Sequence, residues 1–186
     1  MAGRFIAVVG PSGVGKDSVM NALVEARPLM ARVRRVITRA PEAGGEDYEP
    51  VDDVSFRARA ERGDFALWWQ AHGLYYGIPA TVTDTLHDGR DVIANLSRSK
   101  LEEAHETFQH LHVLSITAPA DVLSKRLAAR GREDIEDIRR RLDRPSPAFA
   151  AHLPVTHLSN DGSLEACVAD ALASLDAART PTSQTA

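Results

Sequence analysis

Cysteine is nearly absent. Cys167 stands alone, which excludes an intramolecular disulfide framework and a multi-cysteine zinc site, and its neighbours mark it as a helix-core residue. No apolar run approaches the roughly 18 residues of a membrane span, and no signal-peptide pattern opens the chain, so no membrane partner is expected. Internal repeats and long low-complexity stretches are missing too. Neither sign of charge dominates. Twenty-two Lys and Arg stand against 26 Asp and Glu, a formal net charge of −4 that argues against a general nucleic-acid coat. What is left, 44% hydrophobic and 26% charged over 186 residues, suits one globular domain whose core needs no disulfides. A cytoplasmic enzyme is the expectation.

The most informative stretch is Gly10-Pro11-Ser12-Gly13-Val14-Gly15-Lys16-Asp17. It follows an apolar run, Phe5 to Val9, and opens into helical spacing at Val19, Leu23 and Val24. That is the strand–loop–helix context of a phosphate-binding loop. Glycines let successive backbone N–H groups turn inward on a polyphosphate, the helix N-terminus adds positive potential, and Lys16 reaches the β/γ oxygens. The residues from Gly10 to Ser18 are therefore the candidate ATP site. The last position of the motif should carry a hydroxyl that ligates Mg²⁺, yet here it is Asp17. A carboxylate can ligate Mg²⁺ directly or through water, so Asp17 is the metal candidate. In the competing view Asp17 points away, and Ser18 or water serves the metal.

Apolar runs alternate with helical patterns, the signature of an α/β fold with a mostly parallel sheet flanked by helices. Strands are expected near 4–9, 33–38, 91–96, 112–117 and 155–158, and helices near 16–27, 98–108, 119–130, 133–144 and 163–178. Residues 40–90 interrupt the alternation with a polar loop, a short helix near 52–62 and an aromatic β-type run from Phe65 to Tyr76. This stretch reads as an inserted acceptor-binding subdomain of a single domain, 1–178, ahead of a disordered tail over 179–186. Arginines at 126, 130, 132, 139, 140 and 141 flank Gly131 and suit a helical lid over about 126–144. The plainer alternative for each of them is a solvated helix face paired with Glu133, Asp134, Glu136 and Asp137.

With loop, insertion and lid in place, the chain resembles the guanylate-kinase superfamily over about residues 4 to 175. The residues that carry the likeness are Gly10 to Lys16, Thr38-Arg39-Ala40-Pro41, Gly45-Glu46-Asp47-Tyr48, Tyr75-Tyr76-Gly77, Arg130-Gly131, Ile138 to Leu142 and Asn160-Asp161. The departures are equally specific. Where guanylate kinases hold the guanine base with a glutamate, a small hydroxyl residue and an aspartate, this chain has Leu67, Ile78 and Ser97. Where they bind the nucleotide's phosphate with an arginine, it has Glu42. Each unmet hydrogen-bonding group on guanine would cost about 1–3 kcal/mol. Arg35 replaces a serine, and on an alternating strand Arg35 and Arg39 share a side. An acceptor rich in phosphate and lacking a base is implied.

Within that superfamily the pattern, including the Gly-Lys-Asp ending of the loop, is similar to the ribose 1,5-bisphosphate phosphokinases of bacterial phosphonate utilisation. That likeness implies transfer from ATP to a phosphorylated sugar, giving 5-phosphoribosyl 1-diphosphate. It implies catalytic roles for Lys16, Arg126, Arg130 and Arg141 over the transferring group. It also implies acceptor contacts from Arg35, Arg39, Tyr48, His72, Tyr76 and Arg98. The alternatives are a nucleoside monophosphate kinase with altered base choice, and a non-catalytic binding module. Such a module commonly loses the loop lysine and lid arginines that this chain keeps.

Overall fold

Side-chain alternation on the first strand sets the layering. β1 (Phe5–Val9) is buried at every position. Phe5, Ala7 and Val9 join one apolar cluster while Ile6 and Val8 join another, as expected of a strand covered on both faces. The computed structural model describes residues 2–40, 46–128 and 148–178. Five strands form the main sheet in the order β2 (Ala31–Arg32), β7 (Val92–Asn95), β1, β8 (Leu111–Thr117), β9 (Val155–Ser159), and all their pairings are parallel. On the Ile6/Val8 face lie α1 (Lys16–Ala26) and the C-terminal helix α6 (Leu164–Ala177), which contributes Cys167, Ala171 and Leu175. Burial pushes the Cys167 thiol up, with Asp170 and Asp161 adding to the effect, so it remains an unreactive core residue. The opposite face takes Leu101 and Ala104 of α4 (Leu101–Thr107), and Phe108 stacks on Phe5 with ring centroids 4.0 Å apart. α5 (Ala120–Ala128) follows β8.

A second sheet is built within residues 35–79, in the order β4 (Tyr48–Pro50), β3 (Arg35–Ile37), β6 (Leu74–Pro79), β5 (Phe65–Ala71). β5 and β6 form a hairpin turned by His72 and Gly73, with φ of 52° and 74°. α2 (Asp53–Glu61) begins at Asp52, whose carboxylate accepts from the Ser55 amide at 2.7 Å. That bond and the Ser55 hydroxyl hold the Asp52 carboxyl below the usual range. The outer face of this sheet packs Val36 and Phe65 against Phe56 of α2. The inner face carries Ile37, Tyr48, Leu67, Trp69, Tyr76 and Ile78 into the same cluster as Val9 and Leu96 at the top of the main sheet.

The strand expected over 33–38 appears as β3 in the smaller sheet, and the unexpected β2 just before it belongs to the main sheet. The Val33 amide donates to Ile93 and ends the main-sheet ladder, whereas the Thr38 amide donates to Tyr75 in the smaller sheet, so the chain changes sheets at Val33 and Arg34. β4 and the short helix α3 (Val82–His87) were not anticipated, because three and six residues are too few for a period to declare itself. The helix expected over 98–108 divides into a 3₁₀ turn, Arg98–Lys100, and α4. The helix over 133–144, Gly131, most of the lid, Arg130, Arg132, Arg139, Arg140, Arg141 and the 179–186 tail lie outside the described residues.

The end of the sheet remote from the glycine loop holds buried polar groups. Arg4 and Asp91 pair at 2.8 Å, and Arg4 also donates to the Leu175 carbonyl at 2.7 Å. His112 is buried beside them, with Nε2 3.0 Å from the Thr156 hydroxyl. Burial, helped by the Arg4 charge, pulls its imidazole below the ordinary value of 6.5. The unfolded chain therefore binds a proton at a pH where the folded chain refuses it. Stability from this group is intact above pH about 6.5 and is lost as pH falls below that value toward the folded pKa. His112→Gln should shrink the drop in urea midpoint between pH 7.5 and 5.5; an equal drop in both proteins would contradict the assignment.

Candidate active site

The glycine loop lies between β1 and α1, at the carboxyl end of the central strand, where open α/β sheets take their ligands. Gly15 is the N-cap of α1, left-handed at φ 94°, and no side chain among the described residues caps the helix, so its first amides face the loop. A methyl on Gly15 would lie 2.7 Å from the Asn160 amide nitrogen. Asn160 itself is buried beyond β9 and donates to the Val14 carbonyl at 2.7 Å, and Arg126 of α5 donates to the same carbonyl at 3.4 Å. The loop tip is thus pinned from behind, with its amides turned to the open side. The Lys16 ammonium lies across the loop, donating to the carbonyls of Gly10 and Pro11 at 2.9 and 3.0 Å.

Asp17, in the first turn of α1, is half-exposed and accepts from Arg32 of β2 through Oδ1 at 2.7 Å. Arg32 also contacts Asn21, one turn further along α1. Ser18 is exposed beside it. These oxygens are the hard donor type that suits Mg²⁺.

On the inner face of the smaller sheet, four of the candidate acceptor residues converge. Tyr76 stacks on Trp69, ring centroids 5.4 Å apart, and the Arg35 guanidinium lies 5.1 Å from the Tyr76 ring and 5.7 Å from Trp69. Arg39 lies 5.6 Å over the Tyr48 ring, with one amino group 3.5 Å from the Tyr76 hydroxyl. The Tyr48 hydroxyl donates to the Ala40 carbonyl at 2.6 Å, tying the loop after β3 to β4. Arg35 is not open in the way a strand-face argument suggests. Its Nε donates to Glu46 at 3.1 Å and an amino group reaches the other carboxylate oxygen. Trp69 is part of the core, while Trp68 is 44% exposed on the other face. Leu67 and Ile78, at 2% and 0% exposure, are packed into the core. Each contributes about 1.5–3 kcal/mol of burial and offers no hydrogen bond to a base.

Arg98 sits in the 3₁₀ turn after β7 with its guanidinium 4.1 Å from the Phe149 ring, and partial burial lowers its pKa. His72 is exposed at the hairpin tip, where its positive φ meets a turn requirement. Of the residues assigned to phosphoryl transfer, Lys16 and Arg126 are together at the loop. Three contacts at the candidate site lay beyond sequence reasoning: Asn160 behind the loop, Glu46 on Arg35 and Arg32 on Asp17. Each joins residues 11 to 146 positions apart. The one available signal was a charged Arg35 on a strand with apolar neighbours, which demands a nearby carboxylate.

A glycine cradle with its lysine at the head of a parallel sheet, facing an inserted sheet with a cationic inner wall, defines a P-loop phosphotransferase. Guanylate kinase from Anaplasma phagocytophilum has this fold, with a TM-score of 0.71 at 20% identity over 97% of this chain and 88% of its own. The guanylate kinase family model matches residues 2–170. Among curated proteins, ribose 1,5-bisphosphate phosphokinase PhnN of Ruegeria sp. (strain TM1040) is 50% identical over 178 residues, 95% of this chain and 94% of its own. The PhnN of Rhizobium etli (strain CIAT 652) is 47% identical over 179 residues, 94% and 90% of the two chains. The chain belongs to the guanylate kinase family, among its ribose 1,5-bisphosphate phosphokinase relatives.

Proposed function

We propose that this protein transfers the γ-phosphoryl group of ATP to ribose 1,5-bisphosphate, giving 5-phospho-α-D-ribose 1-diphosphate and ADP. The observation that carries the reading is the 50% identity to a phosphokinase of that name across nearly the whole of both chains. The buried aliphatic Leu67 and Ile78 support it against a nucleotide acceptor, since neither can satisfy a base.

The nucleophile is an oxygen of the C1 phosphate, anionic at neutral pH, so no strong general base is needed. A bond forms from that oxygen to the γ-phosphorus while the bond to the bridging oxygen breaks, and ADP leaves with the electron pair. Catalysis is alignment and neutralisation of charge between two anions. The amides of residues 12–17 and Lys16 hold the ATP phosphates, with Gly10 and Pro11 shaping the loop mouth. Arg126 acts on the transferring group, a role that the family resemblance also gives to Arg130 and Arg141. Asp17, through the oxygen that Arg32 does not engage, and Ser18 would hold Mg²⁺. The ion would supply neutralisation of the phosphate oxygens. Arg39, Tyr48 and Tyr76 take the acceptor's phosphates, Arg35 stands in the same wall, and His72 and Arg98 edge the sugar site. No helix among the described residues is long and apolar enough to cross a membrane, and a cytoplasmic setting would supply the ATP.

Phosphorus NMR of the enzyme with ATP and ribose 1,5-bisphosphate tests the reaction. Paired diphosphate resonances on the sugar, growing in step with ADP, are expected. ADP and free phosphate without a sugar diphosphate would refute it.

A further inference from the structure

Arg35 and Glu46 are the one guanidinium–carboxylate pair, among the described residues, on the apolar inner face of the acceptor sheet. Their side chains are 7% and 8% exposed. Both carboxylate oxygens engage the guanidinium, which is itself fixed against Trp69 and Tyr76. Packing alone gives no reason for charge there. The same sheet face carries Ile37, Leu67, Trp69 and Ile78, and a buried ion pair is commonly no more stabilising than apolar side chains of the same volume.

The pair is also a poor phosphate site. It is neutral overall, and the Glu46 carboxylate repels a phosphate dianion. Arg39, four residues on, meets no carboxylate among the described residues and presents its guanidinium over Tyr48. Phosphate therefore belongs to Arg39. What a neutral, rigid donor–acceptor pair suits is an uncharged polar group. Only part of the Arg35 donor set is spent on Glu46, and the carboxylate oxygens keep lone pairs. A hydroxyl uses both, donating to carboxylate and accepting from guanidinium.

We infer that the Arg35–Glu46 pair reads the sugar of the acceptor, with Glu46 accepting from the ribose hydroxyls and Arg35 orienting it and donating to them. The inference rests on ribose 1,5-bisphosphate as acceptor, and it makes Glu46 a specificity-determining residue. It also moves Arg35 from phosphate binding to sugar binding. A free purine-type acceptor finds no such match at Leu67 or Ile78.

The test compares kcat/KM for ribose 1,5-bisphosphate and for 2-deoxyribose 1,5-bisphosphate in the wild type, Glu46→Gln and Glu46→Ala. Melting temperature and ATP binding by calorimetry confirm that each variant is folded. The wild type should favour the ribose compound by roughly 10–100-fold, the effect of leaving one hydrogen-bonding partner unmatched. Glu46→Ala should bring the ratio to within about threefold of unity, and Glu46→Gln, which keeps one carbonyl acceptor, should fall between. A purely structural Glu46 would slow both substrates alike, and an unchanged ratio overturns the inference. So does a wild type indifferent to the 2-hydroxyl, a result that needs no variant to fold. Failure of the underlying reading looks different: the wild type would phosphorylate GMP and leave ribose 1,5-bisphosphate untouched.

Discussion

Lys16→Ala is expected to lower kcat by about 10²–10³-fold at saturating ATP with little change in melting temperature, the range seen when one preorganised donor to developing charge is removed. The ammonium is held at the mouth of the loop by the Gly10 and Pro11 carbonyls, close to the amides of α1's first turn. A ligand phosphate entering the cradle exchanges those carbonyls for a charged oxygen, a charge-assisted bond of greater strength. The side chain is half-buried and its ammonium donates to loop carbonyls, so its loss should cost the fold little. Lys16→Arg should not restore activity, because a planar fork does not fit where a compact ammonium bridges two carbonyls. Steady-state kinetics beside thermal melts check both statements. A variant with wild-type kcat would remove Lys16 from the mechanism.

Gly10→Ala is expected to damage both stability and nucleotide binding, through the backbone. Gly10 directly follows β1 at φ 154°, and a methyl there would strike the carbonyl of Ile116 on β8, a backbone atom in the centre of a parallel sheet. Neither strand can yield without breaking ladder bonds. Overpacking of this kind costs about 1–3 kcal/mol. Displacing the start of the cradle should also weaken ATP binding by about tenfold or more, since its amides act only when aligned. Gly162→Ala is the control, because none of the described residues lies within 4 Å of a methyl at that position. Urea midpoints and calorimetry with ATP should separate the two variants. Equal behaviour would mean that the loop tolerates movement.

The strand–loop–helix unit could be read from sequence because its rules are local. An apolar run, three glycines and a lysine fall within a dozen residues, and both ends of α1 lie within one residue of the expected span. The parallel strands β1, β7 and β8 followed for the same reason, each being a run rich in apolar residues, whereas the edge strand β2, only Ala31 and Arg32, fell outside every expected strand. The acceptor wall was legible only in part. Arg39, Tyr48 and Tyr76 were named through family resemblance, but their convergence depends on β3 pairing in parallel with β4 and antiparallel with β6. Three-residue strands carry no period that would announce this. Long-range ion pairs were the least legible. The choice of Asp17 as metal candidate did not foresee Arg32, which offsets its charge from the edge strand. Likewise an arginine on a strand face reads as an open cation until a carboxylate eleven residues away closes on it.

The most direct test of the central claim is the ratio of kcat/KM for ribose 1,5-bisphosphate to that for GMP, measured with ATP in one coupled assay. An acceptor wall made of Arg39, Arg35–Glu46, Tyr48 and Tyr76, with Leu67 and Ile78 buried where a base would need partners, predicts a ratio of at least about 10³. Efficient turnover of GMP, equal to or above that of ribose 1,5-bisphosphate, would contradict the account.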